Sequence, residues 1–440
     1  MKHVIIGAGA AGVSAAKVIR NLRSDDEIVI ISSDEAVYSR CMLCKYISGK
    51  RSEAELSFVN EGFFEEQNIR RIPGTTVTGV DAKEKTVCFG GGSELYDKLL
   101  IATGAQNVIP PIGRLREAGN VYGLRDFADA KAIRERASQA SDIVIIGASL
   151  TGLSAAYALL EMGRKPIIIE SGKSILDNNL DACAAAVYRE KFEEAGCGFR
   201  MGRKIKKTIC DGFGMVRTIV LDSGEKLPCD YVVSTVGVQP ELGYLEGSSI
   251  IFLKHVRVSK HLAARVARAY ASADVYAAGD AAGLSGTWAN AARQGEVAAM
   301  NMCGVPTVYD NSFALKNTIN FFGITTLSIG QIKPTAGTEV QSREDRSRYE
   351  TVLLQRGVPV GVILQGNISH SGFWQHLIKN KINVTATGKP IWKLSFADFY
   401  DVGTNGEYKW PVTRLCHKTK PCGRHRYGSE CGTRYADCLV

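Results

Sequence analysis

No stretch of this 440-residue chain stays apolar for the ~18–20 positions that a membrane-spanning helix needs. No secretory leader is expected either, because the opening residues MKHVIIGAG already read as a buried strand running into a glycine turn. These two absences lead us to expect a cytoplasmic protein. None of the seven histidines sits in HExxH or another metal-ligating pattern, so no metal centre is expected. The twelve cysteines are scattered, which argues against a disulfide-stapled secreted module and for individual thiol chemistry in a reducing compartment. Charge is not one-sided. The 54 Lys and Arg against 45 Asp and Glu leave +9, too diffuse a surplus to imply nucleic acid, and compatible with anionic small molecules or an acidic electron carrier. The basic run Arg203, Lys204, Lys206 and Lys207 reads as solvated surface.

What is present is length for roughly three domains, a 45% hydrophobic composition able to fill several cores, and 45 glycines. Two segments share one plan. Residues 3–6 read as an apolar strand, followed by Gly7-Ala-Gly9-Ala10-Ala-Gly12, a small-residue helix over 14–20 and a second strand over 27–31. The pattern returns as a strand over 142–146, the turn Gly147-Ala-Ser149-Leu-Thr-Gly152, a helix over 153–161 and a strand over 166–170. In such a unit glycine permits the tight turn, lets backbone approach a pyrophosphate and allows close helix packing, while the helix N-terminus faces the negative charge. One copy is weak evidence, but two in one chain are hard to obtain by accident. The second copy ends in Glu170, where a carboxylate can accept from both ribose hydroxyls and repel a 2′-phosphate. That favours NADH over NADPH, with the nearby Lys173 arguing the other way. The first copy has Ser32 and Ser33 at the strand end and Asp34 and Glu35 just after it.

Two further strands complete the pattern: Leu99-Leu-Ile-Ala102-Thr103-Gly104, stopped by glycine, and Val275-Tyr-Ala-Ala-Gly279-Asp280, ending in a carboxylate. The order of all these motifs, with the strand end Ser234-Thr-Val-Gly237-Val-Gln-Pro240 and the helix opening Trp288-Ala289-Asn290, resembles the FAD-dependent pyridine nucleotide-disulfide oxidoreductases over about residues 1–410. The resemblance implies an α/β fold with two Rossmann-like dinucleotide-binding domains, for FAD and NAD, and a C-terminal α+β dimerisation domain. It implies a discontinuous FAD domain (1–113 and 237–310), an inserted NAD(P) domain (114–236) and an interface domain (311–415) that pairs two subunits into a homodimer. Carried over residue by residue, Gly7, Gly9, Ala10 and Gly12 would approach the FAD pyrophosphate. Asp34 or Glu35 would serve the adenosine ribose, Val77 the adenine, and Arg40, Ala102, Thr103 and Gly104 the rest of the FAD site. Gly279 and Asp280 would meet the ribityl chain or pyrophosphate, and Ala289 and Asn290 the flavin carbonyl. Gly147, Ser149, Gly152, Glu170 and Gly237 would hold NADH.

The thiols choose among branches. The segment Tyr38-Ser-Arg40-Cys41-Met-Leu-Cys44 places Cys41 where the single-cysteine branch carries its redox thiol, the branch of NADH oxidases, coenzyme A-disulfide reductases and persulfide reductases. A cysteine at a helix N-terminus beside Arg40 is expected to have a depressed pKa. Cys44 replaces a proline of that pattern, and since residues i and i+3 share a helix face it is a candidate to resolve a mixed disulfide with Cys41. Cys88, Cys183, Cys197, Cys210, Cys229 and Cys303 are expected to be buried bystanders. Two outlets for the electrons stay open: Cys41 and then a small disulfide, a persulfide, oxygen or peroxide, or direct passage to an iron protein of rubredoxin or ferredoxin type, as in relatives that work without the thiol. A third reading, a non-enzymatic redox sensor with structural FAD, rests only on the tail 416–440. That tail is rich in cysteine (Cys416, Cys422, Cys431, Cys438) and basic, and it lacks the close CxxC pairs of zinc or iron–sulfur sites.

Overall fold

The structure, a computed structural model, describes residues 1–409 apart from 268–273, 311–315, 346–347, 403 and 405. The cysteine-rich tail 416–440 lies outside the described residues.

Continuous apolar runs such as HVII and EIVII cannot present a polar face, so they fold as strands covered on both sides, the condition of a parallel sheet. The strand Lys2–Ile6 is the centre of a five-stranded parallel sheet in the order Val275–Ala277, Lys98–Ile101, Lys2–Ile6, Glu27–Ile31, Ile69–Ile72. The second run, Ile143–Ile146, is the centre of another parallel sheet in the order Gly198–Met201, Ile167–Glu170, Ile143–Ile146, Tyr231–Ser234, Val121–Tyr122. Each sheet interrupts its chain path with a three-stranded antiparallel excursion. One runs through Val77–Asp81, Thr86–Phe89 and Gly92–Leu95, the other through Ile205–Cys210, Val216–Leu221 and Lys226–Pro228. In both, the next strand after the excursion pairs beside the central one.

Strand Val275–Ala277 completes the first sheet only after the second has been built, so the second is an insertion in the chain path of the first. The outgoing and returning chains cross together as an antiparallel ribbon of Gln106–Asn107 and Val238–Gln239. Helices Ala10–Leu22 and Trp288–Met302 pack so closely that a Cβ on Gly295 would run into the Ala11 carbonyl.

The C-terminal part is a five-stranded antiparallel sheet in the order Lys316–Phe321, Ile324–Gly330, Val358–Gln365, Arg348–Gln355, Thr338–Asp345. Helix Ser371–Lys379 buries Phe373, Trp374 and Leu377 against Leu327, Val352 and Leu364 of that sheet. The sheet also meets helix Ala182–Glu194 of the inserted unit, where Tyr188 Oη donates to the Ile324 carbonyl at 2.8 Å and lies 2.8 Å from Thr326 Oγ1. Gln365 Nε2 donates to the Ala184 carbonyl and to Thr326 Oγ1, both at 3.0 Å. Tyr157, Phe192, Phe199, Phe321 and Phe322 close the same seam, mostly edge to face, with Tyr157 tilted against Phe321. Among the described residues no helix is long and apolar enough to cross a membrane.

Candidate dinucleotide and redox site

At the first turn the backbone of Gly7 adopts φ +110°, a conformation L side chains rarely take, and a Cβ there would run into the Ala102 carbonyl. A Cβ on Gly12 would strike the Gly7 carbonyl, so the helix starts hard against the strand end. Helix Ala10–Leu22 is N-capped by Gly9 with no side-chain bond, leaving its first N–H groups to whatever enters the cleft. That cleft has a volume of about 460 Å³. Of the residues expected to bind FAD, Gly7, Gly9, Asp34, Arg40, Val77, Ala102, Thr103 and Gly104 line it. Ala10 and Gly12 lie in the helix start. Glu35 instead borders a neighbouring hollow, with its carboxylate against Gly74. Backbone donors at a helix end and the hydroxyls of Ser32, Thr103 and Tyr244 are the donor set that a pyrophosphate flanked by riboses requires, so the residues present fit FAD.

Asp280 and Gly279 stand at the end of strand Val275–Ala277. Gly279 N–H donates at 2.8 Å to the fully buried Gln294, which fixes this corner to helix Trp288–Met302. Ala289 and Asn290 occupy the first turn of that helix, and Asn290 donates to Ser285 Oγ at 2.8 Å. Asp280 is ion-paired to Arg125. Arg125 also donates to the Ala105 carbonyl at 2.9 Å and receives a bond from Arg40 Nη1 at 2.6 Å on its own carbonyl. Arg40 is paired to Asp34 at 2.8 Å and donates to Tyr38 Oη, while Tyr38 Oη donates to Asp34 at 2.9 Å.

This network corrects the expectation for the thiols. Arg40 spends its guanidinium on Asp34, Tyr38 and the Arg125 carbonyl. Cys41 sits in a single 3-10 turn, Arg40–Met42, and Cys44 in the helix Leu43–Ile47 that follows it directly. The Cys41 thiol is solvent-exposed, yet surrounding protein raises its pKa, with Arg125 and a hydrogen bond from Ser39 only partly offsetting this. Burial pushes Cys44 up to about 12, and it packs against the core under the inserted unit. Both are free thiols, and neither has the depressed pKa of an activated nucleophile. Of the other described cysteines, Cys197, Cys229 and Cys303 are buried as expected, Cys210 is half-buried, and Cys88 and Cys183 are exposed.

The second turn repeats the first with different chemistry. Gly147 takes φ +101°, and a Cβ on Gly152 would strike the Gly147 carbonyl. Here the N-cap is Ser149, whose Oγ accepts from Gly152 N–H at 3.3 Å and donates to the Thr235 carbonyl at 3.1 Å. Thr235 Oγ1 in turn donates to the Ile146 and Gly147 carbonyls at 2.9 and 3.0 Å. Glu170 folds back onto the turn: Ala148 N–H donates to Oε2 at 2.8 Å, Gly172 N–H to Oε1 at 2.6 Å, and Ser171 Oγ to Oε1 at 3.2 Å. Gly237 lies beyond strand Tyr231–Ser234, entering the crossing ribbon at φ +135°.

Arg125, Tyr244, Thr235 and Gln294 were not singled out from sequence. Arg125 and Asp280 are 155 positions apart, so nothing local marks their pairing. Tyr244, which meets Thr103 Oγ1 at 3.3 Å, sits in a 3-10 turn without a motif.

A profile of the pyridine nucleotide-disulphide oxidoreductase family matches residues 1–295, and one of the rubredoxin NAD+ reductase C-terminal domain matches residues 316–382. The epsilon subunit of an NADH-dependent phenylglyoxylate dehydrogenase from Aromatoleum evansii is 28% identical over 393 residues, covering 87% of this chain and 93% of that protein. A rubredoxin-NAD(+) reductase from Pseudomonas putida is 30% identical over 319 residues, covering 70% and 81%. Among solved structures, an NAD-dependent persulfide reductase from A. fulgidus superposes with a TM-score of 0.78 at 23% identity, covering 89% of this chain and 79% of that one. That likeness bears on the fold.

Proposed function

The chain belongs to the pyridine nucleotide-disulphide oxidoreductase family, and from that membership we propose that it is a reductase delivering electrons from NADH to an iron-containing carrier protein, with no obligatory thiol step. It is an FAD-dependent NADH oxidoreductase, as the family assignment and its relatives indicate. Bound FAD supplies the exchange between two-electron hydride chemistry and single-electron transfer. The chain's own part is to hold two dinucleotides. The open helix end at Gly9 and the glycines behind it receive one pyrophosphate, with Arg125 and Asp280 fixing the far corner. The capped turn at Ser149 receives the other.

The observation that carries the choice of acceptor is that burial raises the Cys41 pKa and pushes Cys44 up to about 12, while the adjacent Arg40 is engaged by Asp34 and the Arg125 carbonyl. The profile match over 316–382 and the rubredoxin-NAD(+) reductase relative support the same reading, and the +9 surplus suits an acidic carrier. The test is Cys41→Ser with NADH and a rubredoxin or ferredoxin as acceptor. A rate within about threefold of the parent, falling as salt rises, is expected. A loss of two orders of magnitude would overturn the reading.

One observation favours a second outlet: Cys41 is exposed and free, hence within reach of a small disulfide, a persulfide or a peroxide. Anaerobic NADH titration distinguishes the two, because a redox-active thiol would raise electron uptake beyond the two that FAD accepts. The division into FAD, NAD(P) and interface domains, a homodimer formed through the C-terminal sheet, and a cytoplasmic location belong to the same proposal. Sedimentation of the purified protein checks the dimer.

A further inference from the structure

The end of strand Ile167–Glu170 carries charge that the NADH reading leaves unused. Glu170 is the residue that would meet the adenosine ribose, yet both of its oxygens already accept backbone N–H bonds, from Ala148 and Gly172, and Ser171 adds a third donor. Its carboxylate works as a staple that closes the glycine turn onto the strand end. Three donors also spread its negative charge, which weakens the repulsion it can exert on an incoming phosphate.

Around this staple the backbone brings in a second loop. Gly202 N–H donates to the Gly172 carbonyl at 2.9 Å, and Arg203 N–H donates to the Glu170 carbonyl at 3.0 Å. Arg203 is thereby fixed beside the strand end, two residues past strand Gly198–Met201, although 33 positions separate it from Glu170 in sequence. Arg203, Lys204 and Lys173 are all exposed, and among the described residues none of the three has a carboxylate at ion-pair distance. The neighbouring Arg200 differs: it is neutralised by Glu225 at 2.7 Å. The basic run read from sequence as solvated surface thus begins at a nucleotide-binding turn.

We propose that Arg203, with Lys173, receives the 2′-phosphate of NADPH at this turn, so that the protein accepts NADPH as well as NADH. The proposal rests on the reading that the second glycine turn holds a nicotinamide dinucleotide. Its chemistry is the general one for this position, in which a carboxylate contacts an unmodified ribose while a nearby arginine accommodates a 2′-phosphate through charge-assisted, bidentate bonds. The unusual element is that one site carries both, with the carboxylate turned inward onto backbone.

The test is calorimetric binding to the flavin-loaded protein, using adenosine 2′,5′-bisphosphate and adenosine 5′-monophosphate as probes, followed by stopped-flow flavin reduction with NADPH and NADH. The parent protein is expected to bind the bisphosphate at least as tightly as the monophosphate. That preference should shrink as salt screens the pair of cations. In Arg203→Ala the ratio of the two affinities should fall by about tenfold, and in Arg203→Glu by about a hundredfold, with the NADPH to NADH ratio of kcat/KM following. Arg203→Lys should recover part of the loss. A parent protein that favours the monophosphate a hundredfold, or an Arg203→Ala variant in which both affinities fall together, would overturn the proposal while leaving the nicotinamide site in place. Failure of either nucleotide to bind or to reduce the flavin would instead overturn the assignment of the turn itself.

Discussion

At Gly7 the helix begins on a glycine with no side-chain cap, whereas at Gly147 it begins on Ser149, whose hydroxyl accepts from Gly152 N–H. In other respects the two turns are near copies: positive φ at the first glycine, a carbonyl blocking any Cβ at the last, and a parallel sheet centred on the strand that leads into the turn. The difference lies in who satisfies the helix end. A capped end already has one of its donors satisfied, worth about 1 kcal/mol, and suits a nucleotide that arrives and leaves. An uncapped end keeps its donors for the ligand and gains most when that ligand stays. The contrast is the one expected between a resident cofactor and an exchanging substrate.

Four experiments bear on that contrast. The largest effect is expected from Gly12→Ala, where the new methyl must displace the Gly7 carbonyl; flavin bound per purified chain should fall by about tenfold or more, and retention of full flavin would break the comparison. Gly152→Ala meets the same obstacle in the other unit. It should keep its flavin yet lose about tenfold in kcat/KM for NADH. Gly9→Ser sharpens the contrast further. Gly9 has extended backbone and nothing within 4 Å of a Cβ, so a serine there should cap the helix, stabilise the flavin-free protein by about 1 kcal/mol in urea, and weaken FAD binding about threefold. Ser149→Ala, the converse change, should cost about 1 kcal/mol in the same urea titration and leave the flavin in place.

The thiols give a smaller, pH-dependent signal. Because the Cys41 pKa is raised, its thiolate fraction at pH 7 is below that of a free cysteine and grows only as pH climbs past the ordinary thiol range. Iodoacetamide should therefore label Cys41 more slowly at pH 7 than it labels glutathione, with the rate still rising above pH 9. Cys44, at about 12, should label only on unfolding. Fast labelling of Cys41 at pH 6 would restore the activated-thiol reading.

Much of the fold was legible because it is written in local patterns. The βαβ starts, the glycine turns and the strand ends at Gly104 and Asp280 each announce themselves within about ten residues, and the structure places them in two matching sheets. Electrostatic commitments were not legible. Arg40 is adjacent to Cys41, so sequence proximity suggested that it acts on the thiol, but a guanidinium reaches several ångströms and pairs with Asp34, six positions back, and a carbonyl 85 positions on. Glu170 was correctly placed at a strand end, while its turn toward Ala148 N–H depends on a backbone bend that no motif records. Arg125 and Asp280 meet only because the second unit is inserted between the halves of the first.

That insertion gives the seam at Tyr188 a further meaning. The C-terminal sheet docks on the inserted unit through Tyr188, Thr326 and Gln365 and through a shared cluster of aromatic rings. A chain cut before strand Lys316–Phe321 would strip cover from Tyr157, Tyr188 and Phe192 and leave a hydrophobic patch of the kind that drives aggregation. The C-terminal sheet is therefore expected to keep the nucleotide-binding unit it touches soluble. Limited proteolysis should accordingly yield insoluble N-terminal fragments, never a trimmed and soluble reductase.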